Sequence, residues 1–319
     1  MTGNDRPWAA WVLFGMFATV VATSAFDYSV LVPRPDLRYA MHRAIVDGTA
    51  PSPQRFRVLV AWSLDPIIRL AGRSGDGEQA FRRVYFAFHL VALSALVGGV
   101  YAYSRLWFSR DRSLIGALVI ASVLHLVLRM GEYWDFSPIP DHTWFAPWSL
   151  LEPIFVAMAL LLLAKGQIGL LAILTVIASL NSEASVVLPL LALVVPNQER
   201  RHGLALLALW AVVTALLRFG IGGFTMPEAM WQQDIAHLPH VVVNLLLFLG
   251  PAAALVMAGY GNAPLFARSA TLALVPLLLA IVVFGDWWDV RLLTPIYPLA
   301  GPLMLSAIFR RPSAYRESF

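Results

Sequence analysis

The chain has 319 residues, of which 59% are hydrophobic and 13% charged, with a mean hydropathy of +0.70. That balance excludes a soluble domain of this length and makes the chain an integral membrane protein, read as a single transmembrane domain over 1–319 because its solvent is lipid. The 23 basic residues outnumber the 19 acidic ones, but in a membrane chain the surplus is accounted for by loop arginines that set topology, not by a nucleic-acid surface; the absence of cysteine removes disulfides, thiolate metal sites and a cysteine nucleophile.

The first element is an apolar run over 8–26, preceded by Arg6. Its long core and the many apolar segments that follow predict a retained first helix instead of a cleaved signal. The stretch 27–83 is the only long run that is neither apolar enough for a membrane nor a short connection. Within it, 39–46 reads as a short interfacial helix stopped at Asp47-Gly48, where glycine suits a C-cap. Prolines and a serine break the chain over 49–53, and 57–70 reads as an amphipathic surface helix with Pro66 as a kink or second start. Ser74-Gly75-Asp76-Gly77 then reads as a turn, so the loop presents two surface helices as a lid over the bundle.

Further spans are predicted at 83–104, 113–130, 144–164, 204–223, 240–260, 268–284 and 291–309. The apolar run 167–196 is too long for one comfortable span and is interrupted by Asn181-Ser182-Glu183. It is either one tilted helix with a buried carboxylate or two short helices meeting at a polar hinge. With a cytoplasmic N-terminus, the hairpin puts Arg105, Arg110, Arg112, Lys165, Arg200, Arg201, Arg268, Arg310, Arg311 and Arg316 on the cytoplasmic side, whereas a single helix would export the C-terminal arginines. The expected fold is therefore all-α: a polytopic bundle of about ten membrane segments including a broken hairpin, with an external loop carrying amphipathic helices and both termini cytoplasmic.

Ionisable groups at membrane depth are costly and rank first as functional candidates. Asp27 ends the first helix and is followed by Tyr28; it is either an interfacial carboxylate or a general base in a site at the membrane surface. Asp36, between Arg34 and Arg38, is the second choice for that role and is equally read as an ion-pair partner. Arg55 and Arg57 flank Phe56 just before a helix, where guanidinium forks suit phosphate oxygens or lipid headgroups. Glu132 and Asp135, with Asp141-His142 nearby, offer oxygen and imidazole ligands to a divalent metal ion, while the aromatic loop around them also suits carbohydrate stacking or an interfacial belt. Glu183 sits where two half-length helices meet, and Arg291, after Asp286-Trp287-Trp288-Asp289, heads a helix bearing Pro295 and Pro298. No Gly-rich phosphate loop, zinc His-Glu-x-x-His motif or Gly-x-Ser-x-Gly elbow is present, so catalysis would rest on carboxylates and arginines.

Four stretches together resemble the GT-C superfamily of polytopic membrane glycosyltransferases: Asp27-Tyr28; 39–48 followed by Pro51 and Arg55-Phe56-Arg57-Val58-Leu59; Leu180-Asn181-Ser182-Glu183 before Leu188-Pro189-Leu190; and Asp289-Val290-Arg291-Leu292-Leu293-Thr294-Pro295. The resemblance implies transfer of a sugar from a polyprenyl-phosphate carrier to a lipid or glycan acceptor at the non-cytoplasmic face of a bacterial inner membrane. It also implies an acceptor-activating carboxylate at Asp27 or Asp36 and phosphate-binding arginines at Arg57 and Arg291. A non-catalytic transporter or flippase of a lipid-linked or anionic substrate is the alternative, since transporters place sites at broken helices, although no inverted repeat is visible. A third reading is an assembly partner within a membrane complex.

Overall fold

The structure, a computed structural model, describes residues 35–52, 54–74, 76–120, 147–196, 198–221, 238–284 and 293–309. The predicted first helix at 8–26, and with it Asp27, lies outside these residues, as do Glu132, Asp135 and Arg291. All regular structure among the described residues is helical. In chain order the helices are α1 (Pro35–Val46), α2 (Val58–Ala71), α3 (Gly77–Ser104), α4 (110–120), α5 (Leu151–Ala164), α6 (Ile168–Ser179), α7 (Val187–Val194), α8 (Arg200–Ile221), α9 (Leu238–Tyr260), α10 (Leu265–Ala270), α11 (Leu274–Phe284) and α12 (Ile296–Ile308).

Among the described residues, three segments are long and apolar enough to cross a membrane: Gly77–Ser104, Pro147–Ala164 and Arg200–Ile221. At 1.5 Å per residue they run about 27 to 42 Å, against a hydrocarbon core of about 30 Å. Pro147–Ala164 is central, with two thirds of its apolar window buried, whereas only 6% of the window in Arg200–Ile221 is covered. Leu204, Val212, Leu216 and Phe219 on α8 are exposed. A contiguous apolar face of that kind is unfavourable in water and is the normal outer face of a helix in lipid. Four helix hydroxyls turn back on their own backbone: Ser94 donates to Leu90 O, Thr175 to Leu171 O, Ser179 to Thr175 O and Ser306 to Pro302 O, at 2.7–2.8 Å, so none of these four needs a solvent partner.

The hairpin reading of 167–196 agrees with the structure. α6 rises from Gly166, the chain turns through a 3-10 segment at Glu183–Val186, and α7 returns so that Pro196 and Gln198 lie beside Leu163 and Gly166. The Gln198 side chain donates to Leu163 O at 3.1 Å. The bundle thus has a hinge end, near 180–186, and an opposite end, where α3, α5 and the hairpin terminate. Leu160, Leu163, Leu171, Leu188 and Leu191 fill the core between α5 and the hairpin, while α3, α4, α5 and α12 share a second core around Leu96, Ala117, Ala157 and Ala300.

At the hinge end, α1 and α2 pack on the first turns of α3 around Ile45, Val58, Phe81 and Tyr85. The C-terminus of α1 is the predicted one. Gly48 adopts φ 71°, Thr49 N–H donates to Ala44 O at 2.8 Å and Gly48 N–H to Ile45 O at 3.2 Å, the two bonds that close a Schellman motif. α2 begins at Val58 and carries Pro66 internally, close to expectation. The third boundary differs. α3 starts at Gly77, six positions before the predicted span, because the Asp76 carboxylate caps it by accepting from Gln79 N–H at 3.0 Å. The segment read as a turn is a helix start, and the polar loop is correspondingly shorter. The run 268–284 also differs from the expected single span: α10 gives way to a 3-10 turn at Thr271–Ala273 before α11, where Thr271 donates its hydroxyl to Arg268 O at 2.6 Å.

One buried carboxylate ties the loop helices together. Asp65 on α2 accepts from Arg43 of α1 at 3.1 Å, pairs with Arg69 one turn on at 2.5 Å, and faces His42 Nε2 at 3.5 Å. His42 Nδ1 in turn lies 3.0 Å from the Tyr85 hydroxyl on α3. Asp65→Asn should destabilise the packed loop by about 2–3 kcal/mol, since it leaves two guanidiniums without their shared counter-charge; the loss of thermal stability in detergent checks this. Burial holds the His42 pKa below its usual 6.5, opposed by Asp65 and reinforced by Arg43 and Arg69. A histidine with a depressed folded pKa binds its proton more readily unfolded, so its neutral form contributes stability above about pH 6.5 that is lost as the pH falls toward the folded pKa. Amide exchange over 38–50 should therefore be constant above about pH 7 and accelerate, relative to intrinsic rates, as the pH falls below 6.5, with His42→Gln removing that pH dependence.

Candidate functional site at the hairpin hinge

The hinge is built from backbone groups that the broken helix leaves unpaired. α6 ends at Ser179, so the Leu180 carbonyl has no partner in its own helix, and Leu59, in the first turn of α2, has a free N–H for the same reason. These two orphans meet at 2.9 Å, which anchors the loop to the hairpin. Asn181 donates its side-chain amide to Trp148 O at 3.0 Å, fixing the hinge to the turn before α5. The Ser182 hydroxyl accepts from Ala184 N–H at 3.1 Å and starts the 3-10 segment, and Trp210 of α8 donates its indole N–H to Ser185 Oγ at 3.0 Å. Four segments distant in sequence thereby hold Glu183 in one place.

Two arginines converge on that carboxylate. Arg218, in the last turn of α8, donates from Nη2 to Glu183 Oε1 at 3.1 Å, and Arg57 Nε lies 3.8 Å from Glu183 Oε2. The side chains are 12%, 18% and 28% exposed for Arg218, Arg57 and Glu183, so the cluster opens to solvent on one side while its charges lie largely out of water. Aromatic faces support the guanidiniums: Arg57 lies 5.0 Å from the Trp148 ring, and Arg55 and Arg218 lie 4.8 and 5.2 Å from the Phe56 ring. Arg57 Nε is buried and makes no hydrogen bond among the described residues, although the ion pair with Glu183 faces it. Planar guanidiniums held in this way are suited to the oxygens of a phosphate, which accept paired N–H donors.

The polar region continues inward. Glu152, near the start of α5, is buried and lines a small space with Asn181, Ser182, Ser185 and Pro295. Asn181 Oδ1 is buried there without a hydrogen-bond partner among the described residues. Pro295 brings the N-terminus of α12 to the hinge.

Of the residues singled out from sequence, Arg57 and Glu183 come together, and Arg55 lies over the Phe56 ring that Arg218 also meets. Asp36 lies in the first turn of α1, and Asp27, Arg291, Glu132 and Asp135 lie outside the described residues. Among the described residues no group of three His, Asp or Glu side chains is arranged to hold a metal ion. Sequence reasoning missed Arg218, Trp148 and Glu152. Arg218 and Glu152 each carried a signal, being ionisable residues inside the apolar spans predicted at 204–223 and 144–164. Trp148 carried none, since an aromatic at a span boundary is ordinary. Comparison with protein-family models, curated proteins and solved structures finds no match to this chain.

Proposed function

We propose that the hinge site binds the phosphate of a polyprenyl-phosphate-linked sugar, and that the chain is a GT-C-type membrane glycosyltransferase acting at the non-cytoplasmic face of a bacterial inner membrane. The observation that carries this reading is the convergence of Arg57 and Arg218 on Glu183, 126 and 35 residues away, at the mouth of a broken membrane hairpin. In this reading about ten segments cross the bilayer, both termini are cytoplasmic, and the loop with α1 and α2 is the external lid. The arginine distribution supports that topology.

The reaction breaks the bond between the anomeric carbon and the phosphate oxygen and forms one from that carbon to an acceptor hydroxyl. The carrier leaves as a phosphate monoester with the bonding electrons, and the acceptor proton passes to a carboxylate, Asp27 or Asp36. Negative charge grows on the leaving phosphate as the bond breaks. Guanidiniums already oriented by Trp148, Phe56 and Glu183 stabilise that growing charge without reorganising, which is how such a clamp lowers a barrier. A divalent ion at Glu132 and Asp135 would add to this stabilisation, and no step above depends on it.

Purified protein should transfer radiolabel from at least one of a panel of polyprenyl-phosphate-linked [14C]sugars into an extractable lipid or glycan product. Binding of farnesyl phosphate without transfer from any donor would instead favour the carrier or flippase reading.

A further inference from the structure

An opening at the opposite end of the bundle belongs to no part of the hinge site. A cleft of about 460 Å³ lies between the ends of α3, α5, the hairpin and α10, bounded by Leu106, Trp107, Leu163, Pro196, Leu265 and Phe266. The volume is that of a small-molecule site. Its wall is rigid: Trp107 stands at right angles to Tyr103, with ring centres 5.0 Å apart, and lies 5.9 Å from Phe266. The lining is mainly apolar, and the Gln198 side chain in it is already committed to Leu163 O.

Three basic residues adjoin the lining along the chain. Lys165 sits between two lining residues, Ala164 and Gly166, and is exposed; Arg200 follows Gln198 by two positions and is exposed; Arg268 lies on α10, the helix that supplies Leu265 and Phe266. None of these three makes an ion pair among the described residues, and Arg268 Nε is buried without a hydrogen-bond partner there. Arg201 is different, being paired with Glu199. An apolar slot at a helix-bundle end, with three cations that make no ion pair among the described residues next to its lining in sequence, matches a ligand with a hydrocarbon chain and an anionic head. A free anion would leave the slot empty, and a neutral lipid would leave the cations unpaired.

We propose that this cleft binds an anionic phospholipid of the surrounding leaflet, one acyl chain lying along Trp107, Leu163 and Phe266 and the phosphate held by Lys165, Arg200 and Arg268. The proposal stands apart from the hinge site and does not depend on transfer activity.

Lys165 is the chain's sole lysine, so its amine can be probed selectively in the full-length protein by acylation and peptide mass spectrometry. In nanodiscs containing phosphatidylglycerol, acylation of Lys165 should be at least about fivefold slower than in phosphatidylcholine, the protection given by roughly four-fifths occupancy. Ala164→Trp fills the cleft without altering the three basic residues and should abolish the ratio between the two lipids. Arg200→Gln combined with Arg268→Gln should at least halve it, and glycerol phosphate added to phosphatidylcholine discs should give no protection. Equal rates in the two lipids, a ratio that persists in Ala164→Trp, a ratio unmoved by the double arginine variant, or full protection by glycerol phosphate would each overturn the assignment.

Discussion

Arg218→Gln should lower kcat/KM for sugar transfer by about 100-fold or more, the effect typical of removing one donor aimed at charge that develops in a transition state. The loss should fall mainly on kcat, because the diester phosphate of the bound donor carries less charge than the monoester that leaves, so the guanidinium contributes more as the bond breaks. Arg218→Lys keeps the charge but loses the planar fork that meets Glu183 Oε1 and the Phe56 face, and should recover only part of the rate. A purely structural role would lower the amount of folded protein and leave the kcat of the remainder unchanged. Steady-state kinetics on the monodisperse fraction, with quantified active protein, separates the two.

Gly259→Val should be the most damaging single substitution to the fold. α9 crosses α12 at this glycine so closely that an added Cβ would lie inside contact distance of the Leu303 carbonyl and 2.8 Å from Ala307 N. Both obstacles are backbone atoms of a helix, so no side chain can rotate away and the two helices must separate. Close approach over small residues is how helices associate in lipid, where no hydrophobic driving force is available to compensate. The expected cost is about 3 kcal/mol or more, and Gly259→Ala should already lose much of it. Gly98→Ala is the control, because a Cβ there meets nothing within 4 Å. Thermal unfolding in one detergent, comparing the three variants, should rank them Gly98→Ala, Gly259→Ala and Gly259→Val in order of increasing loss.

How much of this was readable in the sequence depends on how local the cause is. The Asp47-Gly48 stop is legible because a Schellman motif needs one left-handed residue and names it. The hairpin is legible because Asn181-Ser182-Glu183 interrupts an overlong apolar run and the placement of arginines selects one topology. Helix ends beyond the apolar core are not legible from hydropathy: α3 reaches back to Gly77 through a capping carboxylate, a polar signal outside the hydrophobic window. The break at 271–273 was hidden at the start of a mainly apolar run read as one span, and a single threonine back-bond marks it.

The site itself was half legible. Arg57 and Glu183 stood out by chain position, but their pairing, and the arrival of Arg218 from a helix whose other faces are largely exposed, are tertiary facts. Asp65 illustrates the same limit, since nothing in its local sequence distinguishes a buried hub with Arg43, Arg69 and His42 from a carboxylate on a solvated helix face.

The central claim is that Arg57 and Arg218 form a clamp for a lipid-linked phosphate, and binding of farnesyl phosphate against farnesol to the purified chain tests it most directly. The wild-type protein should bind the phosphate at least about tenfold more tightly than the alcohol, and Arg57→Ala with Arg218→Ala should erase that preference while leaving farnesol binding unchanged, each tenfold step corresponding to about 1.4 kcal/mol. Equal affinity for the two ligands, or a phosphate preference that survives the double substitution, would contradict the account.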